Sequence, residues 1–267
     1  MLQAKDISLG VDKVRANAPL VHNITNYVVM NNTANALLAI GASPVMAHAI
    51  EEVEDMVNIA SALVINMGTL SKHWVESMLL AGKAANAKGI PIVFDPVGVG
   101  ATAYRTDVAK QIIQQCKPDI IRGNASEIMA LNNANIATKG VDSTVSGDNA
   151  LASAKTLAID TGAVVVISGQ TDYITNGKQV AMIHNGDPIM TKVTGMGCTA
   201  TAILGAFAGT QDNMFYAAIM GMAAMGIAGE RANKRSEGPG CLPRYFLNEL
   251  YLLNANAIQS DLKLDYE

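Results

Sequence analysis

Paired cysteines, clustered basic residues, aromatic side chains and a phosphate-loop signature are all scarce or missing in this chain of 267 residues. No Gly-x-x-x-x-Gly-Lys-[Ser/Thr] stretch occurs, which excludes the P-loop nucleotide enzymes. The three cysteines, Cys116, Cys198 and Cys241, lie far apart, and no Cys-x-x-Cys pair or disulfide framework can be built from them. That usage fits a reducing cytoplasm. Charged residues are only 16% of the chain and the formal net charge is -4. A nucleic-acid partner would need Lys and Arg gathered on one face. The densest basic stretch, residues 231–235, is flanked by Glu230 and Glu237 and reads as a solvated helix end, so no nucleic acid is expected. The first residues do not read as a signal peptide. One uncharged and largely apolar stretch, residues 193–211, is broken by four threonines and falls short of the roughly 20 apolar residues of a spanning helix. No membrane association is expected.

Half of the residues are hydrophobic while aromatics are only 4%, with Ala, Gly and Met in their place. This composition predicts small-residue helices packed closely on a sheet. Short Val- and Ile-rich runs at residues 62–66, 90–94, 119–122 and 163–168 alternate with longer stretches of helical period at 27–40, 70–88, 107–116 and 149–161. Nearly continuous apolar strands are buried on both faces. The alternation predicts an α/β fold, a central and mostly parallel sheet with helices on both faces, in one domain spanning 1–267. Asn26 is a candidate cap for the first of these helices, and Asn176-Gly177 signals a hairpin. Residues from 198 onward read as almost wholly helical, with a break at Pro239 and Pro243. The apolar runs end in Asn66, Asp95, Gly123 and Ser168. In open parallel sheets ligands bind beyond the carboxyl ends of the strands, so chemistry is expected there.

Three motifs fit that expectation. In Thr194-Gly195-Met196-Gly197-Cys198 two glycines precede a run of small helix formers. A helix start offers free N–H groups and a partial positive charge, and glycine lets a phosphate approach them closely. A plain tight turn fits the same residues. Asn124-Ala125-Ser126-Glu127 puts an Asn and a carboxylate on one face of a short helix. Glu127 could hold Mg²⁺ through water, or could serve only as a capping partner. Asp95-Pro96-Val97-Gly98 sets a carboxylate at a strand end, where it could support a metal, order water, or cap a turn.

Together these elements resemble the ribokinase-like superfamily of sugar, vitamin and hydroxymethyl kinases, in which a Gly-Ala-Gly-Asp-type anion hole and an Asn-x-x-Glu motif recur. His22-Asn23-Ile24-Thr25-Asn26 and Gly41-Ala42-Ser43-Pro44-Val45-Met46 extend the likeness. With them, residues 19–240 resemble the hydroxyethylthiazole kinase family. The resemblance implies ATP as co-substrate, Mg²⁺, a thiazole alcohol as acceptor, a step in thiamine biosynthesis, and homotrimers with active sites at subunit interfaces. It implies that Arg122 and Ser168 contact ATP, that Met46, Gly195 and the Asn26 segment hold the alcohol, and that Asp95 and Glu127 stand near the metal. Gly195, Gly197 and Cys198 then form the catalytic turn.

One residue departs from the superfamily pattern. Cys198 stands where most members carry the Asp that takes the alcohol's proton. At a helix N-terminus a thiol is expected to be shifted toward thiolate. A loose phosphoryl-transfer transition state asks little of a base, so Cys198 is read as a weak base or a spacer, with the anion hole dominant. The other histidines, His48, His73 and His184, have no partners at metal-ligand spacing. Met214, Met220, Met222 and Met225 read as core, as does Trp74. Besides a non-catalytic nucleotide sensor on the same kinase fold, to which the Asp-to-Cys change gives weight, two alternatives remain. One is a kinase of a pyrimidine or pyridoxal alcohol. The other is a dinucleotide-binding oxidoreductase that uses Gly98-Val99-Gly100-Ala101-Thr102-Ala103 with Asp119 as the ribose partner.

Overall fold

A computed structural model of the chain describes residues 1–132 and 147–267. Among the described residues nine strands form one sheet in the order β2-β1-β3-β4-β5-β6-β7-β8-β9. They are β1 (Leu20–Ile24), β2 (Ser43–Val45), β3 (Ala62–Asn66), β4 (Ile92–Asp95), β5 (Ile120–Asn124), β6 (Val164–Ser168), β7 (Asp172–Thr175), β8 (Val180–Ile183) and β9 (Leu264–Tyr266). The pairings from β2 through β6 are all parallel, and β7, β8 and β9 add on antiparallel. The mostly parallel sheet is thus as expected, and Asn176-Gly177 does close the β7–β8 hairpin, with Gly177 at φ +87°.

Helices cover both faces because the strands present apolar side chains to both. Val64, Val93, Ile120 and Val166 point into one core with α1 (Ala4–Asn17), α2 (Met30–Ile40), α8 (Met196–Ala208), α9 (Met214–Asn233), α10 (Leu242–Leu252) and α11 (Ala255–Asp261). Leu63, Ile65, Phe94, Ile121 and Val165 point the other way. They meet α3 (Val53–Ile59), α4 (Lys72–Lys88), α5 (Ala103–Cys116), α6 (Ala125–Asn132) and α7 (Gly147–Thr161). The alternation follows the two-residue period of a strand. Met220, Met222 and Met225 lie in the first core and Trp74 in the second, as their setting suggested. Helix α8 packs closely on the strand side chains: a Cβ on Gly205 would stand 2.6 Å from Val64 Cγ2. That close approach sets the N-terminus of α8 above the strand ends. Among the described residues no helix is long and apolar enough to cross a membrane.

The basic stretch at 231–235 is exposed at its end, as a helix end would be, but its two arginines also hold carboxylates of later helices. Glu249, buried on α10, accepts from Arg231 Nε and Arg235 Nη1 at 2.9 Å each, and Arg231 also bonds Asp261 at 2.9 Å. Sequence alone could not foresee this, because Glu249 and Asp261 come from two later helices. Burial acts to raise the Glu249 carboxyl, but the hydrogen bonds from Arg231 and Arg235 outweigh it and hold its pKa below the ordinary value. The same balance lowers Asp261, with Arg231 as the main partner. Carboxyls depressed in the folded state stabilise it above their unfolded pKa, and that contribution is lost as pH falls through the folded value. Thermal melts should therefore show Glu249→Ala less stable by about 2 kcal/mol at neutral pH. That is below the cost of stranding a fully buried charge, since both guanidiniums reach solvent. The gap to wild type should narrow in acid below about pH 4.

Candidate active site

Parallel pairing brings the carboxyl ends of β1, β3, β4, β5 and β6 to one edge of the sheet. Asn66 and Asp95 are register partners there, as are Asn124 and Ser168. The polar residues that ended the apolar runs are therefore neighbours in space.

Asp95 is the centre of this edge. It is 1% exposed. Its Oδ2 accepts from Thr201 Oγ1 at 2.7 Å and from Asn66 Nδ2 at 2.9 Å, and Arg122 Nη1 lies 3.8 Å from the same oxygen. Its Oδ1 is buried and accepts no hydrogen bond from the described residues. Burial raises the Asp95 carboxyl above its usual range, while the Arg122 charge and the bonds from Thr201 and Asn66 oppose that rise. Arg122 in turn donates from Nη2 to Ser168 Oγ. The guanidinium also lies against the glycine turn: a Cβ on Gly197 would stand 2.7 Å from Arg122 Nη1.

Gly195 is the N-cap of α8, at φ +84°, a left-handed conformation that side chains rarely adopt. A Cβ there would also meet Val29 Cγ1 at 2.7 Å. The first backbone bond of the helix runs from Thr199 N–H to the Gly195 carbonyl at 2.8 Å. The N–H groups of Met196, Gly197 and Cys198 precede it and carry the positive end of the helix dipole. An anion facing this turn would meet those N–H groups and the Arg122 guanidinium together.

Cys198 is half-buried beside Asn26, whose Nδ2 lies 3.4 Å from Sγ. Its thiol does not shift toward thiolate. Burial, then the nearby Asp95 charge, push it up to about 11, against the bonds from Asn66 and Asn26 and the charge of Arg122. A helix N-terminus favours thiolate by a small margin, and desolvation beside a carboxylate outweighs it. Asn26 also differs from expectation. Helix α2 begins later, with Val29 at its N-cap and no side-chain cap. The Asn26 side chain instead accepts from Val28 N–H at 3.1 Å and donates to Asn66 Oδ1 at 2.8 Å. Met46 follows β2, half-buried, and packs against the core that holds α8.

Asn124 and Glu127 form a reciprocal cap on α6. Asn124 Oδ1 accepts from Glu127 N–H at 2.9 Å, and Glu127 Oε2 accepts from Asn124 N–H at 2.9 Å. Glu127 Oε1 takes the Gly98 N–H at 2.8 Å, which fixes the loop after Asp95. Burial raises the Glu127 carboxyl, and the Asp95 charge adds to it. Both Glu127 oxygens are thus engaged by backbone. Among the described residues no three His, Cys, Asp or Glu side chains gather as a metal cluster. Mg²⁺ typically binds through one or two carboxylates, water and substrate phosphates. Asp95 Oδ1, a buried oxygen without a donor, fits the protein part of such a set.

Several participants are not evident from sequence. Asn66 is visible only as a polar strand end, and Thr201 only by its i+3 spacing from Cys198 on α8. Arg105 donates to the carbonyls of Met67, Val97 and Gly68 at 2.7, 2.7 and 2.8 Å, tying the loops after β3 and β4 together. Asp172 closes the β6–β7 turn by accepting from Gly169 N–H at 3.0 Å, and burial raises its carboxyl to about 7. His22 is wholly buried, with Nε2 2.8 Å from the Ala47 carbonyl, and it shapes the loop that carries Met46.

The dinucleotide reading fails on geometry. Asp119 precedes β5 and accepts from Ile92 N–H at 2.8 Å. It lies at the amino end of the sheet, away from the glycine turn at Gly98. The turn itself is held by Glu127, and α5 starts beyond it, capped by Thr102.

The sequence model of the hydroxyethylthiazole kinase family matches residues 11–256. A hydroxyethylthiazole kinase of Leptospira biflexa is 56% identical over 252 residues, 94% of each chain. One from Syntrophus aciditrophicus is 54% identical over 256 residues, covering 96% of this chain and 95% of the relative. The structure of a hydroxyethylthiazole kinase protein from Pyrococcus horikoshii OT3 superposes with a TM-score of 0.91 at 39% identity, over 98% of this chain and 99% of that one. A Staphylococcus aureus pyridoxal kinase in complex with ADP shares the fold, with a TM-score of 0.63 at 16% identity, over 80% of this chain and 88% of that one. The chain belongs to the hydroxyethylthiazole kinase family.

Proposed function

We propose that this chain transfers the γ-phosphoryl group of ATP to the primary hydroxyl of 4-methyl-5-(2-hydroxyethyl)thiazole, a step in thiamine biosynthesis or salvage. The observation that carries this reading is the meeting of the α8 first turn, Arg122 and Asp95 at one sheet edge. The hydroxyl oxygen forms a bond to the γ-phosphorus, the bond to the β-phosphate oxygen breaks, and ADP leaves. Charge on the transferring group is met by the N–H groups of Met196, Gly197 and Cys198 and by Arg122. Met46, Asn26 and Gly195 hold the alcohol, and Arg122 and Ser168 hold ATP. Asp95, and Glu127 through water, would hold Mg²⁺, which would neutralise phosphate charge. The working form in this reading is a cytoplasmic homotrimer with active sites at subunit interfaces.

Purified protein with Mg-ATP should release ADP when the thiazole alcohol is added. The kcat/KM for that alcohol should exceed those for pyridoxal and hydroxymethylpyrimidine. Equal or better use of either rival would move the acceptor assignment to that alcohol.

Cys198 has a limited part in this mechanism. With its thiol raised to about 11 it is neutral near pH 7 and is a poor proton acceptor. The proton of the alcohol can leave late in a loose transition state. Cys198→Asp is therefore expected to keep turnover or raise it, by no more than about 100-fold, the lower end of what a positioned base contributes. Turnover in a coupled ADP assay, on protein shown to be folded by circular dichroism, checks this. A collapse of turnover would mean that the thiol itself is required.

A further inference from the structure

Asn66 ends β3, is 1% exposed, and besides its contact with the Cys198 thiol makes three side-chain hydrogen bonds of fixed polarity. Its Oδ1 accepts from Asn26 Nδ2 at 2.8 Å and from the Gly68 N–H at 3.0 Å, and its Nδ2 donates to Asp95 Oδ2 at 2.9 Å. A backbone N–H can only donate and an ionised carboxylate can only accept, so the amide has one permitted orientation. Reversed, it would face Gly68 with a donor and Asp95 with an oxygen.

The setting leaves the amide no slack. Asn26 lies so close to Gly68 that a Cβ there would stand 2.5 Å from Asn26 Nδ2. Arg105 holds the Met67 and Gly68 carbonyls from the other side. Thr201 supplies the second donor to the Asp95 oxygen that Asn66 already engages. Asp95 Oδ2 is thereby filled, and Oδ1 is left without a donor. Asn26 belongs to the segment assigned to the alcohol, and Asp95 to the phosphoryl side. Asn66 is bonded to both.

We propose that Asn66 is a positioning residue for phosphoryl transfer, which locks the acceptor-binding Asn26 and the strand-end carboxylate of Asp95 in one register. It acts through those two side chains and touches no substrate. The inference rests on the kinase reading above and adds a residue to which that reading gives no role. Misplacing the reacting partners by a fraction of an ångström lowers the rate of the chemical step more than it weakens nucleotide binding.

The test is steady-state kinetics on Asn66→Ala, on Asn66→Ser, whose shorter hydroxyl cannot span both partners, on Asn26→Ala, and on the Asn26→Ala/Asn66→Ala double variant. Each Asn66 variant should lose about 10- to 100-fold in kcat, the range set by one buried hydrogen bond to a charged group. Its KM for the alcohol should rise, while its KM for ATP stays within about twofold of wild type. The double variant should lose no more than the worse single variant, because both changes break one chain of bonds. Two results would overturn the role: fully additive losses, or Asn66 variants that melt earlier with kcat and both KM values intact. An inactive wild type would instead remove the kinase reading itself, so the two failures are told apart.

Discussion

Asp95→Asn is expected to lower kcat by about three orders of magnitude while leaving the fold as stable as wild type or more so. The amide has the shape of the carboxyl, and its one oxygen can still accept from Asn66 and Thr201. Its nitrogen then occupies the position of Oδ1, so a donor replaces the buried acceptor. Arg122 loses its counter-charge, and the position assigned to the metal loses its negative oxygen. The stability arm follows from the direction of the pKa. Burial raises the Asp95 carboxyl in the folded state. A raised carboxyl favours folding fully below its unfolded pKa, and that advantage is lost as pH rises through the folded value. At neutral pH a neutral amide therefore relieves a cost that the ionised carboxylate imposes. Coupled-assay kinetics and thermal melts on the same preparation read both arms. Lost activity with a lowered melting temperature would assign Asp95 a structural part instead.

Gly197→Ala is expected to cost about 100- to 1000-fold in kcat/KM for ATP, the loss typical of one missing charge-stabilising donor. The new methyl would stand 2.7 Å from Arg122 Nη1 and 3.1 Å from Nη2. The guanidinium is the far end of a flexible side chain, so it gives way, leaving Ser168 and the α8 turn rather than forcing the backbone apart. Residue 197 lies within a helix whose φ angles an L-residue adopts readily, so the melting temperature should hold. Gly195→Ala is the contrast. Its φ of +84° and the contact with Val29 should lower stability as well as activity. Activity lost together with stability in both variants would mean that the turn serves packing alone.

The fold was largely legible because burial on both faces writes strands as apolar runs. The four runs read from sequence are β3, β4, β5 and β6, each within two residues of its observed start and end. The strands left out have physical reasons. β1 carries His22 and Asn23, which break its apolar run, although both are buried in the sheet. β2 and β9 span three residues each and are held by their neighbours rather than by their own pattern. Helix α2 starts at Met30 and not at 27, and the Asn26 side chain bonds Asn66 and the Val28 N–H instead of capping it.

The convergence of the candidate residues was legible where they sit at strand ends or in a glycine turn. Asp95, Arg122, Ser168, Gly197 and Cys198 do converge, and Glu127 lies one loop away on the Gly98 amide. Asn66 and Thr201 were not assigned parts, because what defines them is a hydrogen bond to Asp95 from distant stretches of chain. The expected shift of Cys198 toward thiolate failed for a related reason. The helix start is written in the sequence, but the desolvation and the nearby carboxylate that overrule it exist only after folding.

Phosphorus NMR on a mixture of the protein, Mg-ATP and the thiazole alcohol tests the central claim most directly. The account predicts that the γ-phosphate signal of ATP falls as a phosphate monoester signal rises in equal amount, with ADP as the other product. A γ-phosphate that persists, or that passes only to inorganic phosphate while the alcohol stays unmodified, would contradict it.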